Sequence, residues 1–125
     1  MNRRMLLGAA TLLLPTGTAL AHHGWGWAEG EQTTLSGTIR QVTIAPPHPV
    51  LQVQSADGAV WTVELGNPNQ TSRAGFVDGV AKPGDRIVAL GNRSLNQGER
   101  RLKAVRVTVN DRQFDIYPER IGRTS

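Results

Sequence analysis

The sequence predicts an all-β domain: a small OB-fold-like barrel of five to six strands with one short helix between strands three and four. Beyond residue 32, apolar and polar residues alternate in short runs, as they do in strands that bury one face. Clusters of Gly, Pro, Asn and Asp separate these runs. The alternation breaks once after three strands, where the OB-fold has its helix. A small β-sandwich is the competing architecture.

The first three strands are the clearest. The first is predicted at residues 33–44 and ends at Pro46-Pro47-His48-Pro49. Residues 50–54 and 59–65 are predicted to pair as a hairpin across the turn at residues 55–58. Trp61, Val63 and Leu65 share a face of the third strand, and we expect Glu64 to point away from them into solvent.

The second half of the domain begins where the alternation of apolar and polar residues breaks. Pro68 can open a short helix, which Gly75 and Gly79 would limit. The turn Lys82-Pro83-Gly84-Asp85 then leads into a strand at residues 86–90. Two further strands are predicted at residues 100–109 and 113–117. The basic residues of the first of them are interpreted as its solvated face: Arg100, Arg101, Lys103 and Arg106.

Residues 1–21 have the layout of an export signal. A basic start at Arg3 and Arg4 precedes an apolar run, and small residues stand at Ala19 and Ala21. The arginine pair is compatible with the secretory route and with the twin-arginine route. The apolar run is shorter than the roughly 20 residues that span a bilayer. We expect cleavage after Ala21 and a periplasmic or secreted product without a membrane anchor.

The remaining chain is predicted to be one domain: an N-terminal segment at 22–32, the barrel at 33–118 and a tail at 119–125. Residues 1–21 contain two arginines and no acidic residue, so their removal lowers the formal charge from +4 to +2. This surplus is too small for a nucleic-acid-binding face. The chain contains no cysteine, so no disulfide can compensate for a small core.

Several phrases occur in an order that resembles an uncharacterised family of small exported bacterial proteins, a domain of unknown function whose members begin with paired histidines after the signal. These phrases are His22-His23-Gly24-Trp25, Thr34-Leu35-Ser36-Gly37-Thr38, Pro47-His48-Pro49, Trp61, Gly66-Asn67-Pro68-Asn69 and Lys82-Pro83-Gly84-Asp85. The resemblance implies an exported OB-like barrel and no particular activity. It makes His22, His23 and His48 recurring positions of the family.

The three histidines are the candidate metal ligands. If cleavage follows Ala21, His22 offers a metal both its α-amine and its imidazole. Amine and imidazole nitrogens suit Cu(II), so copper or another transition metal is the predicted cofactor. With the imidazole of His48, held between two prolines, the ligands would be T-shaped with an open position. This set resembles the histidine brace of copper proteins.

Two alternatives stay open. In the first, the terminal amine, the amide of His23 and its imidazole chelate copper in a flexible tail without help from the fold. In the second, His22 and His23 simply begin a mobile terminus and His48 is a polar loop residue.

Trp25 and Trp27 would point the same way in an extended chain. One interpretation is that they dock on the barrel and so fix the terminus. The other is that they form a platform on which a ligand stacks.

No nucleophile motif, phosphate-binding glycine loop or paired-carboxylate site is present, so an enzyme is not expected. Two functions follow from the sequence. The first is an exported copper-binding or copper-handling module. The second is a metal-free OB-fold module that binds a peptide, a glycan or an exported protein partner.

Overall fold

The computed structural model describes residues 24–123 of the chain. The elements, in chain order, are β1 (Ala28–Thr43), β2 (Val50–Gln54), β3 (Val60–Glu64), α1 (Pro68–Arg73), β4 (Arg86–Ser94), β5 (Arg101–Val109), β6 (Arg112–Asp115) and a 3-10 turn (Pro118–Arg120). The predicted all-β class is confirmed, as is the short helix between strands three and four.

The six strands form one sheet in the order β3-β2-β1-β4-β5-β6. A further parallel pairing between β3 and β5 closes the first five strands into a ring. The other neighbouring pairs are antiparallel. This strand order and closure match the predicted OB-fold-like barrel.

Strand β1 takes part in both halves of the ring. Its residues 28–38 pair with β4, and its residues 38–43 pair with β2. At Gly37 strand β2 passes close to β1, since a Cβ at this position would lie 2.4 Å from the carbonyl oxygen of Gln54. Only glycine allows this approach without displacing the backbone of β2.

The helix α1 is short and capped at both ends. The Oδ1 atom of Asn67 accepts a hydrogen bond of 2.8 Å from the amide of Gln70, which is an N-cap interaction. The chain leaves the helix through Gly75, whose φ is 93°. Phe76 then enters the core and contacts Phe114 edge to face, with ring centroids 5.2 Å apart.

Alternating side chains of the five ring strands fill the interior. Branched aliphatic residues with no exposed surface dominate this core: Ile39, Leu51, Val53, Val63, Leu65, Leu102, Val105 and Val107. Trp61 is half-buried and packs against them. This packing provides the stabilisation that a disulfide would otherwise supply.

Three strand boundaries differ from the prediction by two residues or more. Strand β4 was predicted to end at residue 90 and runs to Ser94. Strand β1 begins at Ala28 because the side-chain amide of Asn92 donates to the carbonyl oxygens of Glu29 and Gly30, at 2.8 and 3.0 Å. The last strand ends at Asp115, and the 3-10 turn follows it. No helix within residues 24–123 is long and apolar enough to cross a membrane.

Candidate functional site

The parallel pairing of β3 with β5 builds a charged cluster on the side of the sheet that faces away from the core. Glu64 lies opposite Lys103 in this register. Their strand neighbours Val63 and Leu102 are fully buried in the core. Because side chains alternate along a strand, Glu64 and Lys103 project together from the opposite face. We call Glu64, Lys103, Arg101 and His48 the Glu64 cluster.

Glu64 is the centre of the cluster. Its Oε1 atom accepts a hydrogen bond of 2.8 Å from Lys103 Nζ, and its Oε2 atom accepts one of 3.0 Å from Arg101. Glu64 is 9% exposed, and Lys103 only 1%. Burial by itself would raise the pKa of Glu64, but the hydrogen bonds from Lys103 and Arg101 outweigh it and lower the pKa. The carboxylate therefore stays ionised.

His48 reaches the cluster from the loop before β2. The pair Val50 and Glu64 begins the β2–β3 ladder, and the carbonyl oxygen of Pro49 accepts a hydrogen bond of 2.9 Å from the amide of Leu65. These contacts hold the proline-flanked loop against the end of β3. The Nδ1 atom of His48 lies 3.7 Å from Oε1 of Glu64, and the side chain is 27% exposed.

Trp25 and the C-terminal segment cover the cluster. The ring of Trp25 meets Tyr117 edge to face, with centroids 5.0 Å apart. The guanidinium of Arg120 lies 3.9 Å from the Trp25 ring centroid. Lys103 Nζ lies 5.4 Å from the Trp25 ring and 5.7 Å from the Tyr117 ring. The buried ammonium thus has a carboxylate and two aromatic faces as partners.

Trp27 contacts the other cation of the cluster. The guanidinium of Arg101 lies 3.6 Å from the Trp27 ring centroid. The carbonyl oxygen of Trp27 accepts a hydrogen bond of 2.8 Å from the amide of Leu95, in the loop between β4 and β5. Arg101 therefore joins the Trp27 ring to the Glu64 carboxylate.

Gln32 ties the C-terminal segment to β1. Its Nε2 atom donates to the carbonyl oxygen of Arg120 at 2.5 Å, and its Oε1 atom accepts from the amide of Gly122 at 2.9 Å. Tyr117, which directly precedes the 3-10 turn, is buried. Its burial, followed by the negative charge of Glu64, raises the pKa of the Tyr117 phenol to about 12.

Three of the five predicted site residues lie in the described part of the chain, and all three contact the cluster: His48 faces Glu64, Trp25 faces Lys103 and Trp27 faces Arg101. The other two, His22 and His23, lie outside the described residues. Among residues 24–123, no group of three or more His, Cys, Asp or Glu side chains could hold a metal ion.

Two sequence interpretations are wrong. Glu64 was expected in solvent, and Lys103 on a solvated strand face, but both are buried in one ion pair. Alternation does place Glu64 away from Trp61, as expected. It cannot show that this face is covered by Trp25 and Tyr117. The one local signal was the apolar run that encloses Lys103, from Leu102 to Val105.

No curated protein matches this sequence. The model of a family of unknown function, DUF6152, matches residues 11–102, which is more than half of the 125-residue chain. The chain therefore belongs to the DUF6152 family.

Proposed function

We propose that this protein is exported, that cleavage after Ala21 creates His22 as the first residue, and that the mature protein binds copper. The ligands in this proposal are the α-amine and imidazole of His22 and the imidazole of His48. One observation carries it: the first described residue, Gly24, lies next to the Glu64 cluster, to which His48 belongs.

The distances make a shared site feasible. A Cβ built on Gly24 would lie 3.9 Å from Lys103 Nζ. Lys103 Nζ lies 2.8 Å from Glu64 Oε1, which lies 3.7 Å from His48 Nδ1. Two residues of extended chain reach about 7 Å, and a histidine side chain adds to this span. A chain that starts two residues before Gly24 is therefore long enough to bring its first residue to His48.

The surroundings of His48 favour a role as ligand. Metal-bound histidines commonly direct their second ring nitrogen to a carboxylate, which fixes the ring and raises its basicity. Nδ1 of His48 faces Glu64 in this way, so Nε2 would bind the metal. Both oxygens of Glu64 already accept hydrogen bonds from Lys103 and Arg101, so Glu64 would orient His48 rather than ligate copper.

The test is a Cu(II) titration of protein purified after export, with its N-terminal residue established by mass. We expect submicromolar binding at a stoichiometry of one. A form that carries one extra residue before His22 lacks the chelate and is expected to bind at least about a hundredfold more weakly. Equal affinity of the two forms, or a mature terminus other than His22, would refute the proposal.

The His48→Ala variant separates the two copper geometries. The shared site predicts that this variant loses affinity, whereas a chelate confined to the tail through His23 predicts no change. For His23→Ala the expectations are reversed: the tail chelate predicts a loss of copper affinity, and the shared site predicts no change. If neither copper geometry is found, the metal-free binding module becomes the function to pursue.

A further inference from the structure

A second candidate site lies on the ring away from the Glu64 cluster. A cavity of about 420 Å³ opens between β1, the turn after β2 and the start of β4. This volume is within the range of small-molecule sites. Its polar lining residues are Ser36, Thr38, Arg40, Gln54, Ser55 and Arg86. Two arginines are therefore among the lining residues, and no acidic residue is.

The strand registers bring these side chains together. Thr38 pairs with Gln54 of β2 on one side and with Arg86 of β4 on the other. Directly opposed residues of neighbouring strands project from the same face. Gly37 forms part of the cavity lining, and its missing side chain lets β1 and β2 approach each other there.

Arg40 follows Ser36 and Thr38 at two-residue spacing, so the alternation of side chains along β1 places it on the face that lines the cavity. Ile39 pairs with Val53 and Gln41 pairs with Gln52, so Arg40 is an extra residue without a partner in the ladder. Bulges of this kind often stand beside binding sites. The cavity is thus lined by one arginine from β1, Arg40, and one from β4, Arg86.

Asp57 and Asp85, the two acidic residues that adjoin lining residues in the sequence, are engaged elsewhere. The carboxylate of Asp57 accepts hydrogen bonds from Ser55 Oγ at 2.5 Å and from the amide of Ala59 at 3.1 Å. The carboxylate of Asp85 accepts from the amide of Lys82 at 2.9 Å. Within residues 24–123, neither Arg40 nor Arg86 forms an ion pair. No carboxylate of the described residues therefore neutralises their charges.

We propose that this cavity binds a small hydroxylated molecule that carries an oxyanion, either a carboxylate or a phosphate. The planar fork of a guanidinium matches both groups, and two forks give such a ligand two points of attachment. The Nε2 atom of Gln54 already donates a hydrogen bond of 3.3 Å to the carbonyl oxygen of Gly58. The hydroxyl of Thr38 and the Oε1 atom of Gln54 are suited to hydrogen bonds with hydroxyl groups of the ligand. This site shares no residue with the proposed copper site, and its ligand requires no metal.

The test is an NMR titration of metal-free protein at constant ionic strength with glucose 6-phosphate, glucuronate and glucose. We expect at least one of the two anions to shift the amide signals of Ser36, Thr38 and Gln54 saturably, while glucose does not. Binding of glucose 6-phosphate would identify a phosphate site, and binding of glucuronate would identify a carboxylate site. If neither anion shifts these signals, or if glucose shifts them equally, the proposal is overturned.

Variants then test the arginines. Arg40→Gln and Arg86→Gln are each expected to weaken binding about tenfold, which is the loss of one charge-assisted hydrogen bond. Arg73→Gln is the matched control, because Arg73 is an exposed arginine of α1 that does not line the cavity. The affinity of the Arg73→Gln variant for the anion should stay within about twofold of that of the unaltered protein. Equal losses in all three variants would show a nonspecific charge effect and refute the site.

Discussion

His48 Nδ1 lies 3.7 Å from Glu64 Oε1, although the two residues belong to different strand ends and are separated by the whole β2–β3 hairpin. Pairing of Val50 with Glu64 produces this approach. The carboxylate is itself held by Lys103 and Arg101. A buried ion pair thus lies beside a partly exposed histidine.

The first prediction concerns copper affinity. Glu64→Gln should weaken Cu(II) binding by the mature protein about 10- to 100-fold, because loss of a carboxylate behind a ligating histidine typically has this effect. Asp115→Asn is the control, since it also removes a carboxylate from an ion pair, with Arg106, outside the cluster. Isothermal titration of both folded variants measures the difference. Equal affinities would mean that Glu64 does not orient a copper ligand.

The second prediction concerns stability. Glu64→Gln leaves the buried ammonium of Lys103 without a counter-charge, so the free energy of unfolding in urea should fall by about 3 kcal/mol. Adding Lys103→Met removes that charge and should restore at least half of the loss. Losses that simply add in the double variant would show that the two side chains are not coupled.

The third prediction concerns the only tyrosine of the chain, so phenolate absorbance reports Tyr117 alone. In the folded protein the phenol should titrate with a pKa of about 12, against a pKa of 10.0 for an ordinary phenol. Because the pKa of Tyr117 is raised in the folded state, its full contribution to stability is present at pH values below the pKa of the unfolded protein. Stability should therefore decline as the pH rises from 10 towards 12. Protein in concentrated urea is the reference, and an identical titration of folded and unfolded protein would contradict burial of the ring.

The fourth prediction concerns the crossing of β1 and β2. Gly37→Ala places a methyl group 2.4 Å from the Gln54 carbonyl oxygen, so one strand must move. The expected loss is about 3 kcal/mol, at the upper end for overpacking. Gly98→Ala is the matched control, because its nearest contact would be the Asn96 side chain at 3.4 Å. Thermal unfolding should separate the variants clearly, and similar melting temperatures would argue against a close strand crossing at Gly37.

The fifth prediction concerns the C-terminal segment. Gln32→Ala removes the two hydrogen bonds that tie Arg120 and Gly122 to β1, which should cost about 1–2 kcal/mol. Amide exchange at Gly122 should accelerate. Exchange in the core strands should change only as much as the free energy of global unfolding changes. Gln41→Ala, at an exposed position of β1, should leave Gly122 unchanged. Unaltered exchange at Gly122 in the Gln32 variant would mean that other contacts hold the segment.

Much of the fold could be predicted from the sequence because its signals are local. Alternation along residues 50–54, the turn that follows it and the N-cap at Asn67 each depend on neighbours within a few residues. The site was only partly predictable. His48, Trp25 and Trp27 stood out by residue type, but their neighbours Glu64 and Lys103 did not, because an isolated charged residue in a strand normally faces water.

The sequence by itself determined the all-β class, the strand order along the chain, the position of the helix and the residues to consider for metal binding. Only the tertiary structure decided that Glu64 meets Lys103, and that Trp25 and Tyr117 cover them. The parallel β3–β5 pairing joins residues 39 positions apart and leaves no local pattern. Whether a charged side chain is buried depends on what packs over it, and here the cover comes from both ends of the described chain.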